Sequence, residues 1–179
     1  MLVPFELRPD APAGGLSAEA EGLGHSERAE KRLLELAAEA GHEMVLGDHI
    51  PNTHLAIAMA EFTRDLGSET HRRVHAAIFA AYYGQGLDIG SREVLRDVAR
   101  AEGLDAEALE AAWDEGRYDD RLHEFDHLGM HLGIDTTPAA LICNELLIGS
   151  RPYGVLREAL LRCLVTANNI EDAGEPPGE

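Results

Sequence analysis

The sequence has 179 residues and a mass of 19.4 kDa, with 15 basic and 33 acidic side chains and a formal net charge of −18. This acidic excess excludes nucleic acid and anionic membranes as partners, because both are bound through clusters of Lys and Arg. Apolar residues make up 45% of the chain, which suits one globular domain. Because no apolar run is long enough to span a membrane and no signal peptide opens the sequence, we expect a cytoplasmic protein.

The first segment predicted to be regular is a short strand. Residues 2–7 alternate between the two faces that a strand would have, but Pro4 lacks the N–H that a central strand position needs. We therefore expect Pro4 near a sheet edge or at the end of a strand. Residues 8–24 are rich in Pro, Gly, Ala and Glu, which predicts an irregular connection.

Six helices are predicted between residues 26 and 132, from capping residues, apolar stripes at helical spacing and glycines at their ends. Ser26 is expected to cap the first helix and Asn52 the second, which is apolar over most of its circumference and should be largely buried. The predicted helices are residues 26–40, 52–66, 69–83, 91–102, 105–115 and 118–132.

The pattern changes to short apolar runs only after Gly133. Residues 139–143 and 146–148 predict a hairpin of two buried strands with its turn at Asn144 and Glu145. A last helix is predicted over residues 153–168, and residues 169–179 form a flexible tail. The order of strand, six helices, hairpin and helix predicts one α/β or α+β domain with a large helical insertion.

The sequence contains two cysteines, Cys143 and Cys163, twenty positions apart. This spacing excludes a Cys-x-x-Cys pair and a zinc ribbon, and it predicts no disulfide framework. Both residues lie in apolar runs, so we expect core cysteines, with a reactive thiol as the alternative.

Nine histidines raise the question of a metal site. Helical spacing places His123, His127 and His131 on one face, and His71 and His75 on another. Neither set has the glutamate directly after its first histidine that marks a helical zinc motif, and arginines nearby oppose a cation. We therefore predict solvated polar faces and no metal ligands.

Pro138 stands at the entry of the first hairpin strand, after Thr136 and Thr137. A cis Thr137–Pro138 bond would leave the Thr137 backbone able to pair with an extended ligand. The residues alone favour an ordinary trans bond, because about 5–6% of X–Pro bonds in folded proteins are cis.

Several segments together resemble the DsbA-like thioredoxin-fold family, in its cytoplasmic branch of FrnE-like and 2-hydroxychromene-2-carboxylate isomerase-like proteins. The resemblance covers nearly the whole chain in order. The segments that carry it are 4–10 (Pro-Phe-Glu-Leu-Arg-Pro-Asp), 50–53 (Ile-Pro-Asn-Thr), 79–83 (Phe-Ala-Ala-Tyr-Tyr), 88–89 (Asp-Ile), 95–99 (Leu-Arg-Asp-Val-Ala), 103–105 (Gly-Leu-Asp), 132–138 (Leu-Gly-Ile-Asp-Thr-Thr-Pro) and 149–153 (Gly-Ser-Arg-Pro-Tyr).

The resemblance implies an α/β thioredoxin fold of DsbA type with a large helical insertion. Residues 1–10 and 133–168 would form the thioredoxin core of a single domain, with 25–132 as the insertion. The substrate-binding residues would be Thr136, Thr137 and Pro138, with Asn52 and Thr53 at the same mouth. Pro138 falls on the family's cis-proline position, and the Thr137 backbone would meet a bound substrate strand.

The chain departs from the family in the part that carries the chemistry. Family members begin with a strand and a Cys-x-x-Cys motif at a helix N-terminus, which lowers the pKa of the first thiol. This sequence contains neither, so no catalytic residue is assigned and we expect the first strand and motif to lie outside it. The family's usual Gly-Val-Pro is Thr136-Thr137-Pro138 here.

Three functions remain open at this stage. The chain resembles a thiol–disulfide oxidoreductase that acts on protein or small-molecule disulfides, without its Cys-x-x-Cys. It could equally be a shortened, non-catalytic peptide-binding module, or a glutathione-dependent isomerase or transferase. No cofactor is predicted beyond glutathione or another low-molecular-weight thiol. Absence of a first strand would expose a sheet edge, so we expect a homodimer or low stability.

Overall fold

A computed structural model describes residues 2–22 and 26–172, with side chains up to residue 166. The chain divides into two compact units. We call Met1–Asp126 the helical unit and His127–Glu179 the hairpin unit. The prediction that residues 1–179 act as a single domain stays a prediction.

All six predicted helices are confirmed, and their bounds agree within a few residues. Ser26 Oγ accepts from Ala29 N at 3.3 Å, which confirms the first cap. Thr53 is the N-cap of the second helix, one residue after the predicted Asn52. The helices are α1 (Glu27–Glu39), α2 (His54–Asp65), α3 (Ser68–Phe79), α4 (Arg92–Ala101), α5 (Ala106–Asp114) and α6 (Asp119–His131).

Helix α3 continues into a π-helical turn, Ala80–Gly84, which completes the predicted third helix. Such a turn is closed by hydrogen bonds between residues five positions apart, one more than in an α-helix. The Tyr83 carbonyl accepts a hydrogen bond from Val45 N at 2.6 Å, and the Ala81 carbonyl accepts one from Leu87 N at 2.9 Å. The turn thereby anchors the segments before α2 and after α3.

The core of the helical unit surrounds α2, which packs against α3, α4 and α5. Four of its large side chains, Met59, Val74, Leu95 and Leu109, have no exposed surface. Trp113 is also buried, and its indole N–H donates to the Leu55 carbonyl at 3.1 Å. The prediction of a largely buried second helix is therefore confirmed. In contrast, α1 has no buried residue.

Glu61 is a fully buried carboxylate on α2. Its two oxygens accept hydrogen bonds from Arg64 Nε at 2.9 and 3.0 Å, and Arg121 Nη1 lies 3.3 Å away. A buried charge is tolerated when it is paired and hydrogen-bonded in this way. The two arginines thus join α2 and α6 around one buried acid.

The predicted strand over residues 2–7 is wrong, because this segment has no regular structure. Its backbone bonds to side chains instead: Glu6 N donates to Asp126 Oδ1 at 2.9 Å, and the Leu2 carbonyl accepts from Arg64 at 2.7 Å. A strand needs a neighbouring strand for its N–H and C=O groups, and none of the described residues supplies one. The first strand is β1 (Leu16–Ser17), antiparallel to β2 (His49–Ile50).

The hairpin unit contains the predicted hairpin and last helix. Strand β3 (Ala139–Ile142) pairs antiparallel with β4 (Glu145–Ile148), and helix α7 spans Tyr153–Asp172 and packs on β3. The turn is Cys143–Asn144, one residue earlier than predicted, because Ile142 pairs with Glu145. The strands are half-buried rather than buried, with Leu141 53% exposed. Residues 169–172 of the predicted flexible tail are helical instead, and the rest of that tail, 173–179, lies outside the described residues.

Candidate functional site

Thr136, Thr137 and Pro138 lie immediately before β3, and all three are exposed. The Thr137–Pro138 peptide bond is cis, as the family resemblance implies. These residues therefore form an accessible bend at the start of the hairpin.

The register of the hairpin decides which backbone groups are paired. Gly149 N donates to the Pro138 carbonyl at 2.8 Å, so Pro138 and Gly149 form a hydrogen-bonded pair. Because paired and unpaired residues alternate along an antiparallel strand, Ala140 and Ile142 also bond toward β4. The N–H and C=O groups of Ala139 and Leu141 face the other side, and Thr137 precedes them in the bend before the cis bond. Among the described residues no strand pairs on that side, so we call these three residues the open edge.

Asn52 and Thr53, the other predicted binding residues, belong to the helical unit. The Asn52 amide already has partners: Nδ2 donates to the Ala11 carbonyl at 2.6 Å, and Oδ1 accepts from His54 N at 3.0 Å. Thr53 is half-buried and its side chain makes no capping hydrogen bond. Asn52 therefore orders the entry to α2, and a shared binding mouth with Thr137 and Pro138 stays a prediction.

A cluster of three titratable side chains lies at the start of α2. His54 Nδ1 is 3.0 Å from Glu6 Oε1, and His54 Nε2 is 3.3 Å from Asp119 Oδ1. The hydrogen bond to Glu6 raises the pKa of the His54 imidazole above its ordinary value of 6.5, against the opposing effect of partial burial, and the charges of Glu6 and Asp119 add to it. The protonated ring can donate from both nitrogens at once.

In this His54 cluster the protonated imidazole on α2 contacts a carboxylate of the N-terminal segment and a carboxylate of α6. Glu6 is itself 9% exposed, although it lies in an irregular segment. Sequence reasoning did not find the cluster, because its members are 48 and 65 positions apart and share no motif. No local signal in the sequence marks it.

The prediction of two core cysteines without a disulfide is wrong. Cys143 and Cys163 are bonded to each other, with their Cα atoms 5.8 Å apart. Cys143 is exposed in the hairpin turn and Cys163 is half-buried on α7. The apolar neighbours of each cysteine suggested burial, but the fold brings the turn and the helix together. A bonded thiol is not available as a metal ligand or nucleophile until it is reduced.

The predicted solvated histidine face is confirmed on α6 and is wrong on α3, where His75 is half-buried and His71 is buried. His123, His127 and His131 are exposed, whereas His71 is 5% exposed. His71 Nδ1 donates to the Ala60 carbonyl at 2.9 Å, because this face of α3 packs on α2. In the described part of the chain, no group of three or more His, Cys, Asp or Glu side chains is placed to hold a metal ion.

A groove of about 490 Å³ lies between α3 with its π-helical turn and α4. Small apolar side chains dominate its lining. The two acids at its margin, Asp97 and Glu102, are paired with Arg100 and Arg73. The groove is therefore an apolar depression whose two acidic side chains are both paired with arginines. None of the described helices is both long and apolar enough to cross a membrane.

Comparison with known proteins agrees with this architecture. A family model described as a DSBA-like thioredoxin domain matches residues 1–161. A probable DsbA oxidoreductase from Streptomyces coelicolor is similar in structure, with a TM-score of 0.71 and 21% identity over 98% of this chain and 76% of that one. A 2-hydroxychromene-2-carboxylate isomerase is also similar, with a TM-score of 0.67 and 19% identity over 94% of this chain and 82% of that one. No curated protein sequence matches the chain.

Proposed function

Because the chain belongs to the family of DSBA-like thioredoxin domains, we propose that it serves thiol–disulfide exchange on protein or small-molecule disulfides in the cytoplasm, as FrnE-like members of the DsbA group do. Its own part in that function is to bind the substrate. The proposal uses the hairpin unit, since the residues that the resemblance assigns to substrate are Thr136, Thr137 and Pro138.

The observation that carries the proposal is the open edge of β3. The outward N–H and C=O groups of Ala139 and Leu141 can pair with an extended chain, which would add to the hairpin as a third strand and pass the Thr137 backbone. Main-chain pairing of this kind does not depend on the substrate's sequence, which suits a protein that meets many different disulfides. The half-exposed Leu141 side chain adds an apolar contact.

Residues 1–179 hold no Cys-x-x-Cys motif, so we assign no catalytic residue to them. We expect this chain to bind an extended peptide but to leave the reduction of insulin by dithiothreitol at its uncatalysed rate. The gene sequence before the Met1 codon tests the family's chemistry directly, since an in-frame strand followed by Cys-x-x-Cys would supply the nucleophile. Catalysis of insulin reduction by this chain alone would contradict our assignment.

Binding can be measured with a fluorescently labelled, carboxymethylated insulin B chain as the extended probe. Ala139→Pro removes one outward N–H, and proline is tolerated where a strand N–H faces away from its partner. We expect this change to weaken binding by about tenfold through one lost hydrogen bond and a steric block. Ala139→Ser keeps the N–H and is the matched control. Equal affinity of both variants, with unchanged circular dichroism, would exclude strand addition at the open edge.

A glutathione-dependent isomerase or transferase is the second candidate, and the structural similarity to 2-hydroxychromene-2-carboxylate isomerase favours it. Here the ligand would be glutathione or another low-molecular-weight thiol rather than a peptide. Retention on immobilised glutathione, with elution by free glutathione, would support this candidate. A chain that binds the insulin peptide but passes through the glutathione column supports the first.

Association with a second copy is part of the proposal. Helix α7 carries exposed apolar side chains, among them Leu160, Leu164 and Val165, which are 50–60% exposed. Apolar patches of this kind favour association. Light scattering that finds a monomer over a wide concentration range would remove the homodimer and leave peptide binding untouched.

A further inference from the structure

The Cys143–Cys163 disulfide joins the turn of the hairpin to helix α7. The Cα separation of 5.8 Å lies within the range of about 4.4–6.8 Å that a disulfide spans without backbone movement. The sequence holds no third cysteine, so neither thiol has another partner within the chain. The pair can therefore open and close in place.

The two cysteines differ in their exposure to solvent. Cys143 is the first of the two turn residues, is exposed, and has a φ of 52°, in the left-handed region that turns use. Cys163 is half-buried along α7. Exchange depends on access of the attacking thiolate to one sulfur of the bond. Cys143 is the sulfur that the fold presents.

Few other interactions hold the hairpin turn on the helix. Among residues 127–166, Ala159 is the one apolar side chain that is buried. Arg162 on α7 pairs with Glu145 on β4 at 2.8 Å, but these side chains are 57% and 42% exposed. Exposed ion pairs contribute little to stability. The covalent bond is therefore the main link between these two elements, and its loss changes the unit.

We propose that Cys143–Cys163 is a reversible redox site that a low-molecular-weight thiol opens by attack on Cys143. The thiolate forms a new bond to the Cys143 sulfur, the Cys143–Cys163 bond breaks, and Cys163 leaves with the electron pair and takes up a proton. A second thiol attacks the mixed disulfide, releases Cys143 as a thiol and leaves with the first as a small disulfide. Two electrons thus pass from two thiols to the protein. This proposal does not require peptide binding at the open edge.

The first test uses the unmodified chain, purified without reductant. Two samples are treated with glutathione for increasing times, one of the folded chain and one of the chain unfolded in guanidinium chloride. Free thiols are then alkylated with iodoacetamide, and the fraction of reduced disulfide is measured by mass spectrometry. We expect the disulfide of the folded chain to be reduced at no less than about one hundredth of the rate measured for the unfolded chain. A larger protection would overturn the proposal. Two free thiols that glutathione disulfide does not join would also overturn it.

The second test identifies the attacked sulfur. Cys163→Ser leaves Cys143 alone, and Cys143→Ser leaves Cys163 alone. With glutathione disulfide, we expect Cys143 to form the mixed disulfide at least about fivefold faster than Cys163, since access limits the reaction. Equal rates, or faster reaction at Cys163, would overturn the assignment. If either variant fails to fold, trapping the mixed disulfide on the unmodified chain and locating it by peptide mass decides the same question.

Discussion

Four large apolar side chains of the helical unit have no exposed surface, whereas residues 127–166 of the hairpin unit bury a single apolar side chain, Ala159. The helical unit is therefore stabilised by many packing contacts, each of which contributes a part of the total. The hairpin unit relies on a short ladder, one exposed ion pair and one disulfide. This difference predicts that single changes act through cavities in one unit and through a covalent link in the other.

The largest expected effect is a cavity in the helical unit. Leu109 has no exposed surface, so Leu109→Ala should lower the free energy of unfolding by about 3 kcal/mol. Leu160→Ala, at a residue 51% exposed on α7, should change it by less than about 0.5 kcal/mol. Urea titration followed by circular dichroism compares the two. Similar losses would mean that burial does not separate the units.

Loss of the disulfide should act on the hairpin unit alone. The bond closes a loop with a sequence separation of 20, and loops of about this length gain about 3 kcal/mol from a cross-link. We expect the double variant Cys143→Ser, Cys163→Ser to show faster hydrogen exchange at the β3 and β4 amides.

The fluorescence of Trp113, the one tryptophan of the chain, provides the control for this change. Trp113 lies in the helical unit, so its unfolding midpoint in urea should stay the same in the double variant. A shifted Trp113 midpoint together with unchanged hydrogen exchange in the hairpin would mean that the disulfide stabilises the helical unit rather than the hairpin unit.

A smaller effect is expected at His54, and it depends on pH. Because its pKa is raised in the folded chain, the stabilisation is complete below the unfolded value of 6.5 and is lost as pH rises through the folded value. His54→Gln should cost about 1 kcal/mol near pH 5.5, allowing for solvent screening, and much less near pH 8.5. Thermal unfolding at both pH values measures this difference.

His123→Gln is the control for this experiment, since His123 is an exposed histidine on α6. A pH-dependent cost of the same size in this variant would mean that the effect does not come from the ion pairs of His54. A His54→Gln cost that is equal at both pH values would mean that the ring contributes by packing and not by its charge.

The smallest effect is expected at the ion pair of the hairpin unit. Arg162→Ala removes three hydrogen bonds to Glu145, but the pair is exposed and should contribute about 0.5 kcal/mol. Arg157→Ala, at another exposed arginine of α7, is the matched control. A loss at Arg162 as large as that from the disulfide would show that the covalent link is not the main tie.

Features set by local sequence could be predicted, and features set by distant contacts could not. Ser26 and Ser91 cap helices through bonds to residues three positions away, so the pattern contains the cause. The His54 cluster and the Cys143–Cys163 bond join positions that only the folded chain brings together. The wrong strand over residues 2–7 has the same origin, since alternation describes one strand but not its partner.

The open edge was predictable from the sequence in its position but not in its register. The family resemblance pointed to Thr137 and Pro138, and the apolar runs predicted the hairpin. Which backbone groups face outward depended on the register, and the pairing of Ile142 with Glu145 moved the turn by one residue. A shift of one residue exchanges the two sides of a strand, so the sequence alone could not have chosen Ala139 for the binding test.

The π-helical turn Ala80–Gly84 has a consequence for the length of the chain. Such a turn accommodates one more residue than an α-helical turn, so this is the place where α3 can lose a residue without breaking. Deleting Tyr82 would restore ordinary α-helical spacing and move Tyr83 into the place of the deleted residue. The Tyr83 carbonyl would then turn away from Val45. One additional residue in a helix thus positions the carbonyl that binds the backbone of Val45, nearly forty positions earlier in the chain.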